Sequence, residues 1–189
     1  MKNLPNLLTL TRILLVPILV TVLFTKVEGK EWWGLALFLL AALTDFLDGY
    51  FARRWGRVTR LGQVLDPAAD KILIASAYIS LIELNPAITP AWMVATILAR
   101  EFAVGGLRSV AATEGRIVPA GWSGKIKTTV QIVSVSLLIV YTQLGEFRHL
   151  APLSLWVAVV VTVLSGVEYF VRYRRLLAAD LPPTGAAAP

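Results

Sequence analysis

Apolar residues run along this chain in six long blocks separated by short polar breaks. The blocks cover residues 7–24, 32–53, 61–82, 90–113, 122–143 and 150–173. Each is close to the ~20 residues a helix needs to cross a bilayer. Strand-like alternation of apolar and polar positions is scarce, so the pattern predicts helices and not the strands of a β-barrel. The fold class implied is all-α: an integral membrane bundle of six transmembrane helices.

The first block carries its own signals. Asn3 or Asn6 can cap a helix, Pro5 is tolerated in a first turn, and Pro17 is expected to bend the helix. Asn6, Thr9 and Arg12 recur every three residues and share one helix face. That face is either an interfacial lead-in with a functional side or a cap followed by a snorkelling arginine. Lys2 ahead of an apolar run resembles a signal peptide, but Arg12 splits the run and no small-residue cleavage site follows Phe24. The block is expected to be a retained segment.

Composition agrees with the pattern. Of 189 residues, 57% are hydrophobic and 16% charged, against roughly 25% charged in soluble domains. Mean hydropathy is +0.70. The length suits one domain, placed at 1–177, with an Ala- and Pro-rich tail at 178–189 expected to be disordered. The tail contains LPPTG (Leu181–Gly185), the form of a sortase sorting signal, but no span follows it and the reading is rejected. There is no cysteine, which excludes disulfides and thiolate metal sites. The net charge of +6 does not argue for nucleic acid in so apolar a chain. Positive-inside loops and anionic lipid headgroups account for it.

The charges also orient the blocks. The break at 25–31 offsets two lysines with two glutamates, 83–89 has no base, and the break around 146–149 has one arginine. The break at 54–60 holds three arginines. Arg116 lies in 114–121, flanked by Arg108, Lys125 and Lys127, and Arg172, Arg174 and Arg175 follow the last block. Base-rich and base-poor breaks alternate, so both termini are expected in the cytoplasm. Trp32, Trp33, Trp92, Trp122 and Trp156 fall towards block ends, as interfacial aromatics do.

Against this background four acids stand out. Asp45 and Asp48 lie three apart at the cytoplasmic end of the second block, and Asp66 and Asp70 four apart at that end of the third. A carboxylate at a membrane helix centre costs about 2.5–3.5 kcal/mol on insertion scales. Each pair falls on one helix face, and two facing pairs make a four-carboxylate cage suited to Mg²⁺, Mn²⁺ or Ca²⁺. With no cysteine and a lone His149 in a distant break, zinc and haem are not expected. Divalent ions relieve the repulsion among the acids and leave coordination sites for phosphate oxygens. Gly49, Ala52 and Gly62 keep the neighbourhood open for a ligand or a helix, and Arg53 can grip a phosphate in bidentate fashion. Taken singly, each of these four residues is better read as a packing or positive-inside residue.

The stretch reads Asp45-x2-Asp48-Gly49-x2-Ala52-Arg53-x8-Gly62-x3-Asp66-x3-Asp70. It resembles the signature of the CDP-alcohol phosphotransferases, and all eight positions match in type and spacing. The six-block layout extends the resemblance over nearly the whole chain. LPNLLTLTR (Leu4–Arg12), DPAADK (Asp66–Lys71), REFAVGGLR (Arg100–Arg108) and GKIKT (Gly124–Thr128) are similar to the branch that makes phosphatidylglycerophosphate.

The resemblance implies an enzyme of the inner (cytoplasmic) membrane, multi-pass and homodimeric, with its site facing the cytoplasm. It would transfer a phosphatidyl group from CDP-diacylglycerol to sn-glycerol 3-phosphate and release CMP. It implies two divalent ions, Mg²⁺ or Mn²⁺, held by Asp45, Asp48, Asp66 and Asp70, with Asp70 also the base for the acceptor hydroxyl. Gly49, Ala52, Arg53 and Gly62 would form the CDP pocket. For the acceptor's phosphate the basic candidates are Arg108, Lys125 and Lys127, with Arg100 and Arg12 further out. Headgroup anchoring explains the two lysines equally well. Arg100 lies deep enough to need a partner, and since Glu101 projects elsewhere on the helix, an interhelical partner is expected. Two rival readings remain: a family member with a different acceptor (serine, an inositol phosphate or phosphatidylglycerol), and a cation transporter using the acids as an intramembrane site.

Overall fold

The structure is a computed structural model and describes residues 4–55, 60–113 and 122–179, with side chains over 10–44, 68–112 and 124–174. Six α-helices account for almost all of it: α1 (Leu4–Phe24), α2 (Lys30–Trp55), α3 (Arg60–Leu84), α4 (Ala91–Thr113), α5 (Trp122–Ile139) and α6 (Leu150–Ala179). No strand occurs among the described residues. The helices coincide with the six apolar blocks to within a few residues, apart from the ends of the last two.

Local chemistry sets the boundaries. Gly29 takes a positive φ of 76°, and its carbonyl accepts the N–H groups of Trp32 and Trp33 as α2 begins. Pro90 stands just before α4, where its missing N–H costs nothing, and its carbonyl accepts from Met93 at 3.0 Å. The fifth block does not stay α-helical to its end. Val140 leaves the helical region at φ −92°, ψ 15°, and the chain continues as short 3-10 turns over Tyr141–Gln143 and Gly145–His149. At the other extreme α6 runs past the expected end of its block, to Ala179. Residues 180–189, with most of the expected tail and its LPPTG, lie outside the described residues, as do Asn3, 56–59 and Arg116.

Hydroxyl residues inside the helices turn back on their own backbone. Thr44, Ser80, Thr96 and Ser136 each donate to a carbonyl three or four residues earlier, at 2.7–2.8 Å. That satisfies the hydroxyl without a partner helix or water.

In the packing, α1 lies against α2 and α3, α4 and α5 lie against α6, and contacts of α2 and α3 with α5 and of α3 with α4 join the two groups. Leu19, Phe38, Leu73, Tyr78, Ile97, Val135 and Leu155 are almost fully buried between them. Ala41, Ala77, Ala151 and Ala158 are buried at the same contacts and let the backbones approach. The outer surface is also apolar. Leu10, Leu14 and Ile18 on α1 and Val157, Val160, Leu164, Val167 and Val171 on α6 recur at helical spacing and are exposed. Among the described residues one stretch, Gly145–Arg174, is long and apolar enough by itself to cross a membrane, its most apolar 18 residues having a mean hydropathy of 2.2. The chain between 91 and 113 is interrupted by Arg100, Glu101 and Arg108, and these lead to the site.

Candidate functional site

The two acid pairs lie on neighbouring helices that pack together, Asp45 and Asp48 on α2, Asp66 and Asp70 on α3. Four residues join these helices, too few to return along a helix of 26 or 25 residues. The two therefore run in opposite senses from a common end. Asp45 stands ten residues before Trp55, where α2 ends, and Asp70 ten residues after Arg60, where α3 begins. Asp48 and Asp66 stand seven and six residues from those same ends. At 1.5 Å per residue each acid of one pair is level with an acid of the other.

The donor chemistry suits a hard divalent cation. The backbone brings four aspartate positions to two adjoining levels, cysteine is absent, and His149 sits in the 3-10 turn before α6, its Nδ1 3.1 Å from the Glu146 carbonyl. Of the eight signature residues only the side chain of Asp70 is described; those of Asp45, Asp48, Gly49, Ala52, Arg53, Gly62 and Asp66 lie outside the described set. Among the described residues no three metal-binding side chains gather.

Asp70 is half-buried and lines a small cleft with Lys71, Ile74, Leu98, Glu101, Phe102 and Gln131. The cleft thus lies between α3, α4 and α5. Lys71 reaches from α3 towards α4, its Nζ 5.8 Å from the centre of the Phe102 ring, a cation–π separation. Gly105 makes that reach possible, because a Cβ there would collide with the Lys71 ammonium.

The far wall of the cleft is built on Glu101. Its Oε1 accepts from Lys127 Nζ at 2.5 Å, from Arg100 Nη1 at 3.3 Å and from Gln131 Nε2 at 3.3 Å. Arg100 also donates through Nη2 to Ser165 Oγ on α6 at 2.9 Å. Its stem lies against Gly166, where a Cβ would come within 3.0 Å of Arg100 Cγ. The side chains of Arg100, Glu101 and Lys127 are only 10–13% exposed. Charges this far from water persist when paired and hydrogen-bonded.

The basic residues picked out in the sequence therefore separate. Arg100 and Lys127 come together through Glu101. Arg100 is not an outer residue of the set but part of its centre, and it meets its sequence neighbour Glu101 as well as a partner across helices. Arg108, two turns further along α4, lies 5.8 Å over the Tyr169 ring of α6. Lys125 is exposed. Arg12 is fully buried on α1, so it is not a snorkelling residue. Gln131, Thr162 and Ser165 escaped the sequence reading. Their signal was there: Gln131 stands one turn after Lys127, and Thr162 and Ser165 stand three apart on an apolar helix.

A family model described as CDP-alcohol phosphatidyltransferase matches residues 2–164. The chain belongs to the CDP-alcohol phosphatidyltransferase family. Relatives within it are close over almost their whole length. A Bacillus subtilis protein is 45% identical over 185 residues, covering 90% of this chain and 94% of its own. One from Rickettsia typhi is 37% identical, covering 90% and 96%. One from Escherichia coli K12 is 37% identical, covering 82% and 90%. All three carry the name CDP-diacylglycerol–glycerol-3-phosphate 3-phosphatidyltransferase. The matched region contains the four acids together with Arg100, Glu101, Lys127 and Gln131.

Proposed function

We propose that this family member transfers the phosphatidyl group of CDP-diacylglycerol to sn-glycerol 3-phosphate, forming phosphatidylglycerophosphate and releasing CMP. One observation carries the reading: Asp70, the last acid of the signature, lines the same cleft as Glu101, whose single carboxylate meets two cations, Arg100 and Lys127, just behind that wall. A carboxylate that can accept a proton stands opposite a surplus of positive charge, which is what a hydroxyl carried on an anionic phosphate requires. The relatives' shared name supports the same acceptor.

In the reaction the acceptor's hydroxyl oxygen attacks the phosphorus of the phosphatidyl group. The new P–O bond forms as the P–O bond to CMP breaks. Asp70 takes the hydroxyl proton as the oxygen attacks, which a general base does from hydrogen-bond reach. Arg100 and Lys127, with Arg108 and Lys125 nearer the end of the bundle, hold the acceptor's phosphate. Arg12 contributes positive charge from α1. Gly49, Ala52, Arg53 and Gly62 receive the CDP moiety. Asp45, Asp48, Asp66 and Asp70 would hold two divalent ions, Mg²⁺ or Mn²⁺, which when bound neutralise the diphosphate and the charge growing on departing CMP.

In the same reading the six helices span the inner (cytoplasmic) membrane with both termini and the acid-bearing end at the cytoplasm, and two copies pair as a homodimer. The exposed apolar residues of α1 and α6 support a lipid surround, since soluble proteins rarely expose so continuous an apolar face. The exposed Trp32, Trp33, Trp92 and Trp156 stand near the opposite end, where an aromatic belt belongs. The donor thus arrives from the bilayer, while acceptor and CMP exchange with the cytosol.

The test is CMP release by purified protein given CDP-diacylglycerol and a panel of acceptors, with and without EDTA. Glycerol 3-phosphate should react, serine and inositol phosphate should not, and EDTA should abolish the reaction until Mg²⁺ or Mn²⁺ is restored. Turnover with serine or inositol phosphate alone would move the protein to another branch of the family. Cation flux in proteoliposomes without CMP release would mark a transporter.

A further inference from the structure

A carboxylate that only neutralises a buried lysine needs one partner. Glu101 Oε1 has three, and they come from two helices: Lys127 Nζ and Gln131 Nε2 on α5 and Arg100 Nη1 on its own α4. Two of those donors are themselves held. Gln131, almost fully buried, shares its Nε2 with Thr162 Oγ1 on α6 at 3.5 Å. Arg100 is tied to Ser165 Oγ, which in turn donates to the Thr162 carbonyl at 3.0 Å. The result is a chain of contacts from α6 through Gln131 and Arg100 to one carboxylate oxygen, and from that oxygen to the Lys127 ammonium. Glu101 and Gln131 both line the cleft that contains Asp70. The arrangement fixes a long, flexible cation behind Glu101, a residue of the cleft wall, and an ammonium with three donors keeps some for a ligand after bonding Glu101.

We propose that Glu101 is a positioning residue for the transfer: it holds the Lys127 ammonium, with Arg100 beside it, where the acceptor's phosphate docks, while Gln131 and Arg100 hold Glu101. This inference rests on the function proposed above. It differs from a purely structural role, in which the cluster knits α4, α5 and α6 together and Lys127 never meets substrate. Removing a strut lowers stability and harms the use of both substrates. Removing a positioning residue harms the acceptor selectively, since a small misplacement can cost up to about a hundredfold.

The experiment uses the full-length protein in detergent micelles with CDP-diacylglycerol, and varies glycerol 3-phosphate for the wild type, Glu101→Gln, Glu101→Asp, Lys127→Met and the double variant Glu101→Gln/Lys127→Met. Glu101→Gln should raise KM for glycerol 3-phosphate about tenfold or more, leave KM for CDP-diacylglycerol within about twofold, and lower kcat by less than it raises KM. Glu101→Asp, which keeps the charge, should recover part of the loss. In the Lys127→Met background Glu101→Gln should add less than about twofold, because the group it positions is gone. Parallel losses in kcat and in both KM values together with a lowered Tm, or full additivity in the double variant, would overturn the proposal. If Glu101→Gln does not fold, Gln131→Leu decides instead: KM for the acceptor alone should rise, and an unchanged KM would count against positioning. A wild type that releases CMP only with another alcohol overturns the acceptor assignment, and the KM split measured with that alcohol still decides the role of Glu101.

Discussion

At the end of the bundle where α1 passes to α2, Lys30 Nζ donates to the carbonyl of Leu23 at 3.0 Å. Its neighbour Glu31 accepts from Thr142 Oγ1 and Gln143 Nε2 at 3.4 and 3.5 Å. In the middle of the bundle Glu101 meets Lys127, Arg100 and Gln131, and Arg100 meets Ser165. Both regions carry half-buried or buried charge, and they use it differently. The first set joins helix ends: Lys30 satisfies one of the last carbonyls of α1, and Glu31 ties the start of α2 to the 3-10 turn after α5. The second set joins side chains across three helices, where removing charge from water is costly and apolar replacements often serve stability as well. Charge placed at helix ends needs no explanation beyond capping. Charge placed on the wall of a cleft with Asp70 does, and on the proposed reading that explanation is an anionic acceptor.

Substitutions in the two regions should therefore diverge. The largest effect is expected from Asp70→Asn, which removes the proposed base with little change of shape: CMP release should fall by about 10²–10⁴-fold, with helical content unchanged by circular dichroism. Retention of more than a tenth of the activity would remove Asp70 from the chemistry. Next comes Lys127→Met, which leaves Glu101 with Arg100 and Gln131 only. Breaking a buried pair costs about 3–5 kcal/mol, less here because two donors remain, so a lowered Tm should accompany a raised KM for glycerol 3-phosphate. A smaller effect is expected from Gly166→Val. Its added atoms meet the stem of Arg100, and overpacking of this kind costs about 1–3 kcal/mol; thermal melting reads it directly. Smallest is Glu31→Gln at the far end, which keeps an acceptor for Thr142 and Gln143. Activity should stay within about twofold and stability within about 1 kcal/mol, as for other weakly held polar contacts. A Glu31→Gln variant as impaired as Lys127→Met would erase the contrast between the two regions.

The helices were legible because each depends on a run of apolar residues long enough to be unmistakable. The early end of α5 was not. Val140 is as apolar as its neighbours, and its departure from the helix is set by the 3-10 turns that carry the chain across to α6. In the site, the level of the four acids followed from spacing once α2 and α3 were known to be joined by a short connection. The partners of Glu101 did not. Adjacency made Arg100 and Glu101 look divergent, since successive side chains on a helix project about 100° apart. The guanidinium is long enough to curl back, and Ser165, 65 residues later, is what holds it there. Arg12 shows the same limit: a charge near the end of an apolar block suggests an interface, and only packing by neighbouring helices reveals that it is buried.

The most direct measurement follows radiolabelled glycerol 3-phosphate into chloroform-soluble lipid while CMP is counted in the same reaction, with purified protein, CDP-diacylglycerol and Mg²⁺ or Mn²⁺. One label should enter lipid for every CMP released, and both should vanish together in Asp70→Asn. CMP release with no label in the lipid, or label entering lipid without CMP, would contradict phosphatidyl transfer to this acceptor.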